Sequence, residues 1–151
     1  MSISAYRVCR RIHGRLDGEG ARRFGGRWNS PGRPMVYLAE SPALAVLENL
    51  VHMSRQDYPT GYVVIAATIP DHVRVLDETF VRASAAAGEQ TSQAIGDYWF
   101  DARMSAVLRV RSAVIPSDFN YVLNPLHLDF AQIVVAEPIL FRFDERLFDI
   151  E

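Results

Sequence analysis

Residues 24–52 read FGGRWNSPGRPMVYLAESPALAVLENLVH, and the rest of the chain is organised around this stretch. It carries a glycine-flanked arginine, a tyrosine within a short apolar run and a glutamate within a helical segment. These residues are Arg27, Tyr37 and Glu48, which are ten and eleven positions apart. No other stretch places a cation, an aromatic ring and a carboxylate on three consecutive predicted elements. The three side chains are therefore the first candidates for a functional site.

The first half of this stretch predicts a turn followed by a strand. Gly25 and Gly26 permit backbone conformations that other residues rarely adopt, so Arg27 can be presented from a tight turn. The sequence NSPG at residues 29–32 is a second turn signal. Residues 35–39 (MVYLA) form a short, nearly continuous apolar run, which is typical of a buried strand.

The second half predicts a helix that carries Glu48. Ser41 supplies an N-cap and Pro42 the first helical position, and we expect the helix to run to about Met53. Its apolar stripe is predicted to consist of Leu44, Leu47 and Val51. At about 100° per residue, Glu48 falls at the boundary of this stripe. A carboxylate at that boundary lies beside the core and can still face a cleft.

Length and composition favour one globular domain, residues 1–151, in the cytoplasm. The chain is 49% apolar and 23% charged, which is ordinary for a folded protein. Its net charge of −2 argues against direct binding to nucleic acid or to an anionic membrane. Cys9 is the single cysteine, which excludes an internal disulfide and fits a reducing compartment. No apolar run reaches the roughly 18 residues of a membrane span.

The remaining pattern predicts many short strands and a few helices. Strands are predicted at residues 5–10, Tyr62–Ile69, 73–76, 107–115, Phe119–Leu123, 133–135 and 139–143. Residues 91–103 are predicted to be helical, residues 80–90 to be a short helix or a mobile connection, and residues 13–23 to be a polar loop. Many short strands around two or three helices indicate an α+β fold with an antiparallel sheet.

The usual catalytic and binding motifs are absent from the sequence. There is no P-loop, GxGxxG or GxSxG, and the four histidines lack metal-ligand spacing. All 16 cationic residues are arginine, so a single arginine is weaker evidence for anion binding than usual. Beyond the three candidates above, Ser112 and the loop at residues 120–127 remain of interest.

Six segments carry a resemblance to a known family. They are YR at residues 6–7, GGRWNSPG at 25–32, VYLAESPALAVLE at 36–48, GDYW at 96–99, RSAVIP at 111–116 and NYVLNPLH at 120–127. In this order they resemble the RES domain family, over roughly residues 5–143. Members of that family resemble ADP-ribosyltransferases in fold. The resemblance therefore implies an ADP-ribosyltransferase-like α+β fold with a mainly antiparallel, split β-sheet core and a few flanking helices.

The family is named for characteristic arginine, glutamate and serine residues, which Arg27, Glu48 and Ser112 match by position. Tyr37 matches a characteristic tyrosine, and Arg111 stands where proline is expected before the serine. The family includes toxins of bacterial RES–Xre toxin–antitoxin pairs. Its members consume NAD by hydrolysis, by phosphorolysis or by transfer of ADP-ribose to a protein. The resemblance therefore implies an NAD-consuming toxin, a hydrolase or a transferase.

These implied activities suit the residue types at the matched positions. NAD cleavage breaks the bond from ribose C1′ to the nicotinamide nitrogen through an oxocarbenium-like transition state. Glu48 would stabilise the developing positive charge, and Arg27, with Arg7 as second choice, would hold the pyrophosphate. Tyr37 would stack on nicotinamide or bond the ribose. Ser112 would be a polar contact with NAD and not a nucleophile, because no histidine base is indicated nearby.

The resemblance also implies partners and leaves two other functions open. It implies an Xre-type antitoxin that carries the DNA-binding region and covers the active-site entrance. It also implies that NAD is the substrate and that no metal is used. A homodimer within the toxin–antitoxin complex is compatible with it. One alternative is a protein mono-ADP-ribosyltransferase with NAD as donor. The other is a catalytically silent binding module of the same fold. The presence of Arg27, Tyr37 and Glu48 together favours an enzyme over the silent module.

Overall fold

The computed structural model describes residues 1–85 and 90–150. Along these residues the chain forms eight β-strands and four α-helices. The strands are β1 (Ile3–Arg10), β2 (Val36–Ala39), β3 (Tyr62–Ile69), β4 (Val75–Asp77), β5 (Val107–Arg111), β6 (Phe119–Leu123), β7 (Val134–Val135) and β8 (Ile139–Phe141). The helices are α1 (Glu19–Phe24), α2 (Pro42–Leu50), α3 (Glu78–Ser84) and α4 (Ser92–Asp101).

The eight strands form one hydrogen-bonded sheet in the order β4-β5-β6-β2-β1-β3-β7, and β8 pairs with β3 beyond the end of β7. Every pairing is antiparallel except that of β4 with β5. The structure therefore confirms the predicted α+β class and the mainly antiparallel sheet.

The junction between β1 and β2 divides this sheet into two halves. β1 and β3 pair along their full length, from Ile3 opposite Ile69 to Arg10 opposite Tyr62. In contrast, β1 and β2 pair at one position, where Tyr6 is opposite Ala39. We call this single pair the seam. One half-sheet, β4-β5-β6-β2, thus meets the other, β1-β3-β7-β8, along a very short contact.

Helices α2 and α4 cover the same face of the sheet, with α2 over the seam itself and α4 over β5 and β6. Residues directly opposite one another on neighbouring strands direct their side chains to the same face. Ala39 of β2 packs with Leu44 of α2, and Val122 of β6 packs with Trp99 of α4. We call this side the helical face. The opposite face carries a separate apolar core in which Val36, Leu38, Ala67, Val107 and Leu123 are buried.

All eight predicted strands are present, and two of them have the predicted ends. These are β3 and β6, which are rich in β-branched or aromatic residues and are bounded by turn signals. The strand predicted at residues 107–115 is shorter, because β5 ends at Arg111 and the chain turns there. The helix predicted at 91–103 is α4. Part of the segment at 80–90 is helical, as α3, while residues 86–89 lie outside the described residues.

The loop predicted at residues 13–23 is wrong in its second half, where α1 forms. This helix has no buried residue, and its N-cap is Gly18 in a left-handed conformation with φ 73°. Ion pairs from Arg22 and Arg23 to Glu19 stabilise it locally. Such a helix leaves no apolar periodicity in the sequence, so the pattern did not predict it.

The predicted apolar stripe of α2 is also corrected. Ser41 does cap the helix, since its hydroxyl accepts the N–H of Leu44 at 3.1 Å. Leu44 is buried, but Leu47 is 37% exposed and Val51 is 57% exposed. The buried positions are Leu44 and Ala45, because the helix lies close to β1 and β2 and a small residue fits that contact. Among the described residues, no helix is long and apolar enough to cross a membrane.

Candidate active site

Glu48 is the centre of a small polar cluster on the helical face. Its carboxylate oxygen Oε1 accepts a hydrogen bond from Ser112 Oγ at 2.6 Å and another from Asn120 Nδ2 at 2.9 Å. The three residues come from α2, from the turn after β5 and from β6. We call Glu48, Ser112 and Asn120 the carboxylate cluster. Both hydrogen bonds reach the same oxygen, and Oε2 of Glu48 accepts none from the described residues.

Ser112 is buried, and its hydroxyl is fully engaged. The Oγ atom donates to Glu48 and accepts the backbone N–H groups of Val114 and Ile115 at 3.1 and 3.0 Å. A hydroxyl oxygen that donates one hydrogen bond and accepts two has used its full capacity. Ser112 therefore supports Glu48, and its direct contact with NAD stays a prediction.

Arg111 occupies the position before Ser112, where the resemblance leads us to expect proline, and it uses the backbone N–H that proline lacks. That N–H donates to Glu78 Oε1 at 2.9 Å, and the guanidinium donates to the carbonyl oxygen of Pro116 at 2.9 Å. The same turn is closed by the N–H of Ser112, which donates to the carbonyl of Asp118 at 2.9 Å. This departure from the family pattern therefore leaves Ser112 in place beside Glu48.

The carboxylate cluster and Tyr37 are neighbours beside the seam. Asn120 is directly opposite Ala39, which is opposite Tyr6 across the seam. Tyr37 is directly opposite Val122, so Tyr37 and Asn120 are diagonal neighbours, roughly 7–8 Å apart. The structure thus brings Tyr37, Glu48 and Ser112 to one region of the helical face.

Arg27 lies in the tight turn that the glycines predict. Gly25 has φ 76°, a left-handed value that favours glycine, and the N–H of Gly26 donates to the carbonyl of Asn29 at 2.9 Å. We call residues 25–33 the 25–33 turn. The side chain of Arg27 is exposed, and within the described residues it makes no hydrogen bond or ion pair. Its guanidinium is therefore available to an anionic ligand.

The hydroxyl of Tyr37 makes two hydrogen bonds to the 25–33 turn. It accepts the backbone N–H of Trp28 at 3.0 Å and donates to Asn29 Oδ1 at 2.6 Å. Burial raises the pKa of the Tyr37 phenol well above its usual value, so the hydroxyl keeps its proton at neutral pH. The side-chain amide nitrogen of Asn29 donates in turn to three backbone carbonyls. Tyr37 therefore positions the turn that presents Arg27.

Helix α4 holds the same turn from the other side. A Cβ atom on Gly96 would lie 1.7 Å from the carbonyl oxygen of Trp28, so only glycine allows this approach of helix and turn. Next to it, Asp97 accepts hydrogen bonds from both the backbone N–H and the hydroxyl of Ser30. The GDYW segment thus has a structural purpose, because its first two residues fasten α4 to the 25–33 turn.

Arg7 lies beside the seam but does not join the carboxylate cluster. It follows Tyr6 in β1 and is opposite Ile65, and strand alternation directs its side chain to the face opposite the helical face. Its Nε atom is buried without a hydrogen-bond partner. Its predicted contact with NAD stays a prediction.

The described residues include no group of histidine, cysteine, aspartate or glutamate side chains arranged to hold a metal ion. Glu48 is paired with an alcohol and an amide, and both are donors to a carboxylate. This arrangement can orient a negative charge towards a cationic or hydroxyl-bearing ligand.

The sequence profile of the RES domain family matches residues 4–144. The chain belongs to the RES domain family. Toxin Res of Photorhabdus laumondii is 34% identical over an alignment of 148 positions, which covers 94% of this chain and 95% of that protein. The Prs ADP-ribosylating toxin of Sphingobium sp. is 31% identical and covers 87% of this chain and 86% of its own. The NAD(+) phosphorylase MbcT of Mycobacterium tuberculosis is 35% identical over 105 residues, which are 65% of this chain and 56% of that protein.

A solved structure has the same fold. In the MbcT–MbcA toxin–antitoxin complex of M. tuberculosis, one chain aligns with this RES domain at a TM-score of 0.69 and 22% identity. The alignment covers 94% of this chain and 85% of that chain. The shared fold thus extends over nearly the whole RES domain.

Sequence reasoning missed two features of the site. Asn120 lies inside the NYVLNPLH segment, but its bond to Glu48 joins residues 72 positions apart and has no local signal. Gly96 and Asp97 lie inside the GDYW segment of the RES domain, which was visible in the sequence. Their purpose depends on the contact of α4 with the 25–33 turn, and that contact is a property of the fold.

Proposed function

We propose that this RES domain is the toxin of a toxin–antitoxin pair, and that it depletes NAD by cleaving the bond between nicotinamide and ribose. The observation that carries the proposal is the carboxylate of Glu48, held at Oε1 by Ser112 and Asn120, with Oε2 left for a ligand. Family membership and the names of the relatives support NAD as the substrate.

The carboxylate suits the charge that develops during NAD cleavage. As the C1′–nitrogen bond breaks, its electron pair passes to nicotinamide, which leaves as a neutral molecule, and positive charge grows on the ribose. A carboxylate fixed beforehand stabilises that charge without reorganising. Water or phosphate then bonds to C1′ and loses a proton, which completes hydrolysis or phosphorolysis.

The other side chains of the site suit the remainder of NAD. Arg27 is exposed and unpaired within the described residues, so it is the first candidate to hold the pyrophosphate. Arg7 is the second candidate. Its Nε is buried and unpaired within the described residues, which supports a role in binding an anion, but its side chain faces away from the carboxylate cluster, which makes it the weaker choice. The donor proton of Tyr37 is already used by Asn29, which favours stacking of its ring on nicotinamide over a bond to ribose.

We propose that the fold is ADP-ribosyltransferase-like and that NAD binds at the seam; the single pair between β1 and β2, which divides the sheet in two, supports a split core. The fold also supports an antitoxin partner, since the relative of known structure is part of a toxin–antitoxin complex. We propose that this partner is of the Xre type, that it covers the site and contacts DNA, and that a toxin homodimer forms within the complex. The toxin would act in the cytoplasm on free NAD and without a metal.

Incubation of the purified protein with NAD tests the activity. Nicotinamide should be released in chelator-treated buffer, together with ADP-ribose, or with a phosphorylated ADP-ribose when phosphate is present. If NAD stays intact with and without phosphate and with added cell extract, the silent binding module of the same fold is correct. If a metal is needed to restore turnover, the metal-free part is wrong. Expression alone should arrest growth, and co-expression of the partner should relieve the arrest.

Protein mono-ADP-ribosylation is the second candidate function. The observation that favours it is the 31% identity to the Prs ADP-ribosylating toxin over most of both chains. Both reactions use the same donor site, so the cluster alone does not separate them. Adding cell extract and labelled NAD separates them, because transfer leaves the label on a protein while hydrolysis and phosphorolysis leave it on a small molecule.

A further inference from the structure

We infer that Asn120 is a positioning residue for Glu48. The amide nitrogen of Asn120 orients the Glu48 carboxylate, and the amide oxygen stays buried and unpaired as a consequence. The inference rests on the proposed function, in which the carboxylate of Glu48 acts on the ribose. Asn120 itself belongs to none of the positions for which the family is named.

The first observation is that two donors share one oxygen. Asn120 Nδ2 and Ser112 Oγ both donate to Oε1 of Glu48, at 2.9 and 2.6 Å. Two hydrogen bonds from different directions fix the rotation of the carboxylate plane, which a single bond would leave free. They also leave Oε2 as the oxygen available to a hydroxyl group of the ligand.

The second observation is the other end of the same amide. The Oδ1 atom of Asn120 is buried and has no hydrogen-bond partner. Rotating the amide by 180° would bring this oxygen against Oε1 of Glu48, where two acceptors repel each other. Glu48 therefore dictates the orientation of the amide. A buried unpaired acceptor is destabilising, so this orientation lowers stability.

Two fully buried asparagines, Asn29 and Asn124, provide a contrast. Asn29 Oδ1 accepts from Tyr37, and its amide nitrogen donates to backbone carbonyls, so both ends are paired. Asn124 Oδ1 accepts the N–H of Leu126 at 2.9 Å, which is a local turn bond. These two residues support the fold. Asn120 instead directs its polar bond to a functional carboxylate.

The third observation is that Asn120 lies on an inner strand of the sheet. This strand is β6, which is paired with β2 on one side and β5 on the other. Asn120 therefore ties Glu48 on α2 to the half-sheet that ends at the seam. A donor on such a strand holds its position better than one on a loop.

Asn120→Leu tests the inference, because leucine keeps the branching at Cγ and removes both polar atoms. We expect kcat for nicotinamide release to fall roughly ten- to hundredfold, with KM within about twofold, because the lost bond orients the transition-state carboxylate. We expect the Tm to be unchanged or higher, because the unpaired acceptor is gone. The control is Asn124→Leu, for which the Tm should fall while kcat well below the Tm stays within about twofold.

An unchanged kcat, or a Tm that falls as far as that of the control, overturns the inference. If Asn120→Leu does not fold, Asn120→Ala is measured in the same way and decides. If the wild-type protein leaves NAD intact, the proposed function fails, and the Tm comparison then decides on its own whether Asn120 is a structural asparagine.

Discussion

The 25–33 turn and the carboxylate cluster lie on the same side of the sheet but are held in opposite ways. The turn is fastened by α4, by the hydroxyl of Tyr37 and by its own backbone, with several bonds at each point. In the cluster, the Glu48 carboxylate is held by two hydrogen bonds to one of its oxygens, and Asn120 carries an unpaired acceptor. The hydrogen bonds of the 25–33 turn stabilise the fold. Those of the carboxylate cluster orient Glu48 and leave one buried acceptor unpaired, which lowers stability.

The comparison is most sharply tested at Glu48. We expect Glu48→Gln to lower kcat for nicotinamide release several hundredfold, which is a rise of about 3–4 kcal/mol in activation free energy. KM should change little, because the carboxylate acts mainly on charge in the transition state. Glutamine keeps the size and helix propensity of glutamate, so the Tm should stay near that of the wild type. Steady-state kinetics and a thermal melt give both values. A kcat close to wild type would show that Glu48 is not the catalytic carboxylate.

A substitution that disturbs the 25–33 turn should lower the stability of the fold. A methyl group at Gly96 would meet the carbonyl oxygen of Trp28 at 1.7 Å, and that oxygen belongs to the backbone, which cannot yield easily. We expect Gly96→Ala to lower the free energy of unfolding by about 3 kcal/mol, measured by denaturant unfolding.

Gly20→Ala is the matched control for this change. Gly20 also lies in a helix, but an added Cβ there meets nothing within 4 Å. Its substitution should be neutral or stabilising by roughly 0.5–1 kcal/mol, because alanine favours helices. Equal effects of the two substitutions would contradict the close contact between α4 and the turn.

Substitution of Arg27 tests whether the 25–33 turn presents this side chain to the pyrophosphate of NAD. If Arg27 holds the pyrophosphate in ground and transition states alike, Arg27→Ala should mainly raise KM and lower kcat/KM by roughly 2–3 kcal/mol. The Tm should not change, since the side chain has no partner within the described residues. Lysine should rescue only part of the loss, because a point charge cannot reproduce paired bonds to phosphate. A change confined to kcat would assign Arg27 to the chemical step instead.

Tyr37→Phe should have the smallest effect of the series. It removes the acceptor for Trp28 and the donor to Asn29, so we expect a loss of about 1–2 kcal/mol in the free energy of unfolding. Tyr98→Phe, at an exposed site with a 3.2 Å bond to the carbonyl of Ser84, should cost under about 0.5 kcal/mol. An effect at Tyr37 no larger than at Tyr98 would contradict its role as a support.

The same phenol predicts a pH dependence. The folded-state pKa of Tyr37 is raised by burial, so its contribution to stability is present below the unfolded value of about 10 and is lost as pH rises above it. The stability difference between wild type and Tyr37→Phe should therefore shrink on the alkaline side. Urea unfolding at pH 8 and at pH 10.5 measures this difference.

Local chemistry explains which parts of the fold were predictable. The Ser41–Pro42 start of α2 and the apolar runs of β3 and β6 are encoded by neighbouring residues, and all were predicted. Helix α1 was missed because ion pairs rather than an apolar stripe support it. Leu47 was expected in the core, but the close approach of α2 to the sheet buries Ala45 instead.

The candidate site follows the same division. The residue types of Arg27, Tyr37 and Glu48 could be singled out from sequence, because a tight glycine turn, a strand and a capped helix are local features. The partners of Glu48 are 64 and 72 positions away along the chain. Glycine is a poor helix former, so propensity alone disfavours Gly96 inside a helix. In the folded chain, its missing side chain allows α4 to touch the turn.

The seam has a mechanical consequence. A sheet joined by continuous ladders bends as one plate, but two plates joined by the single rung between Tyr6 and Ala39 have a line of low bending stiffness between them. Helix α2 crosses that line, since its Asn49 donates to the carbonyl of Val8 in β1 and its Glu48 accepts from Asn120 in β6, so the helix and not the ladder joins the two half-sheets there. Backbone amides of β1 on the β2 side should exchange with solvent faster than those facing β3, where the rungs run unbroken from Ile3 to Arg10.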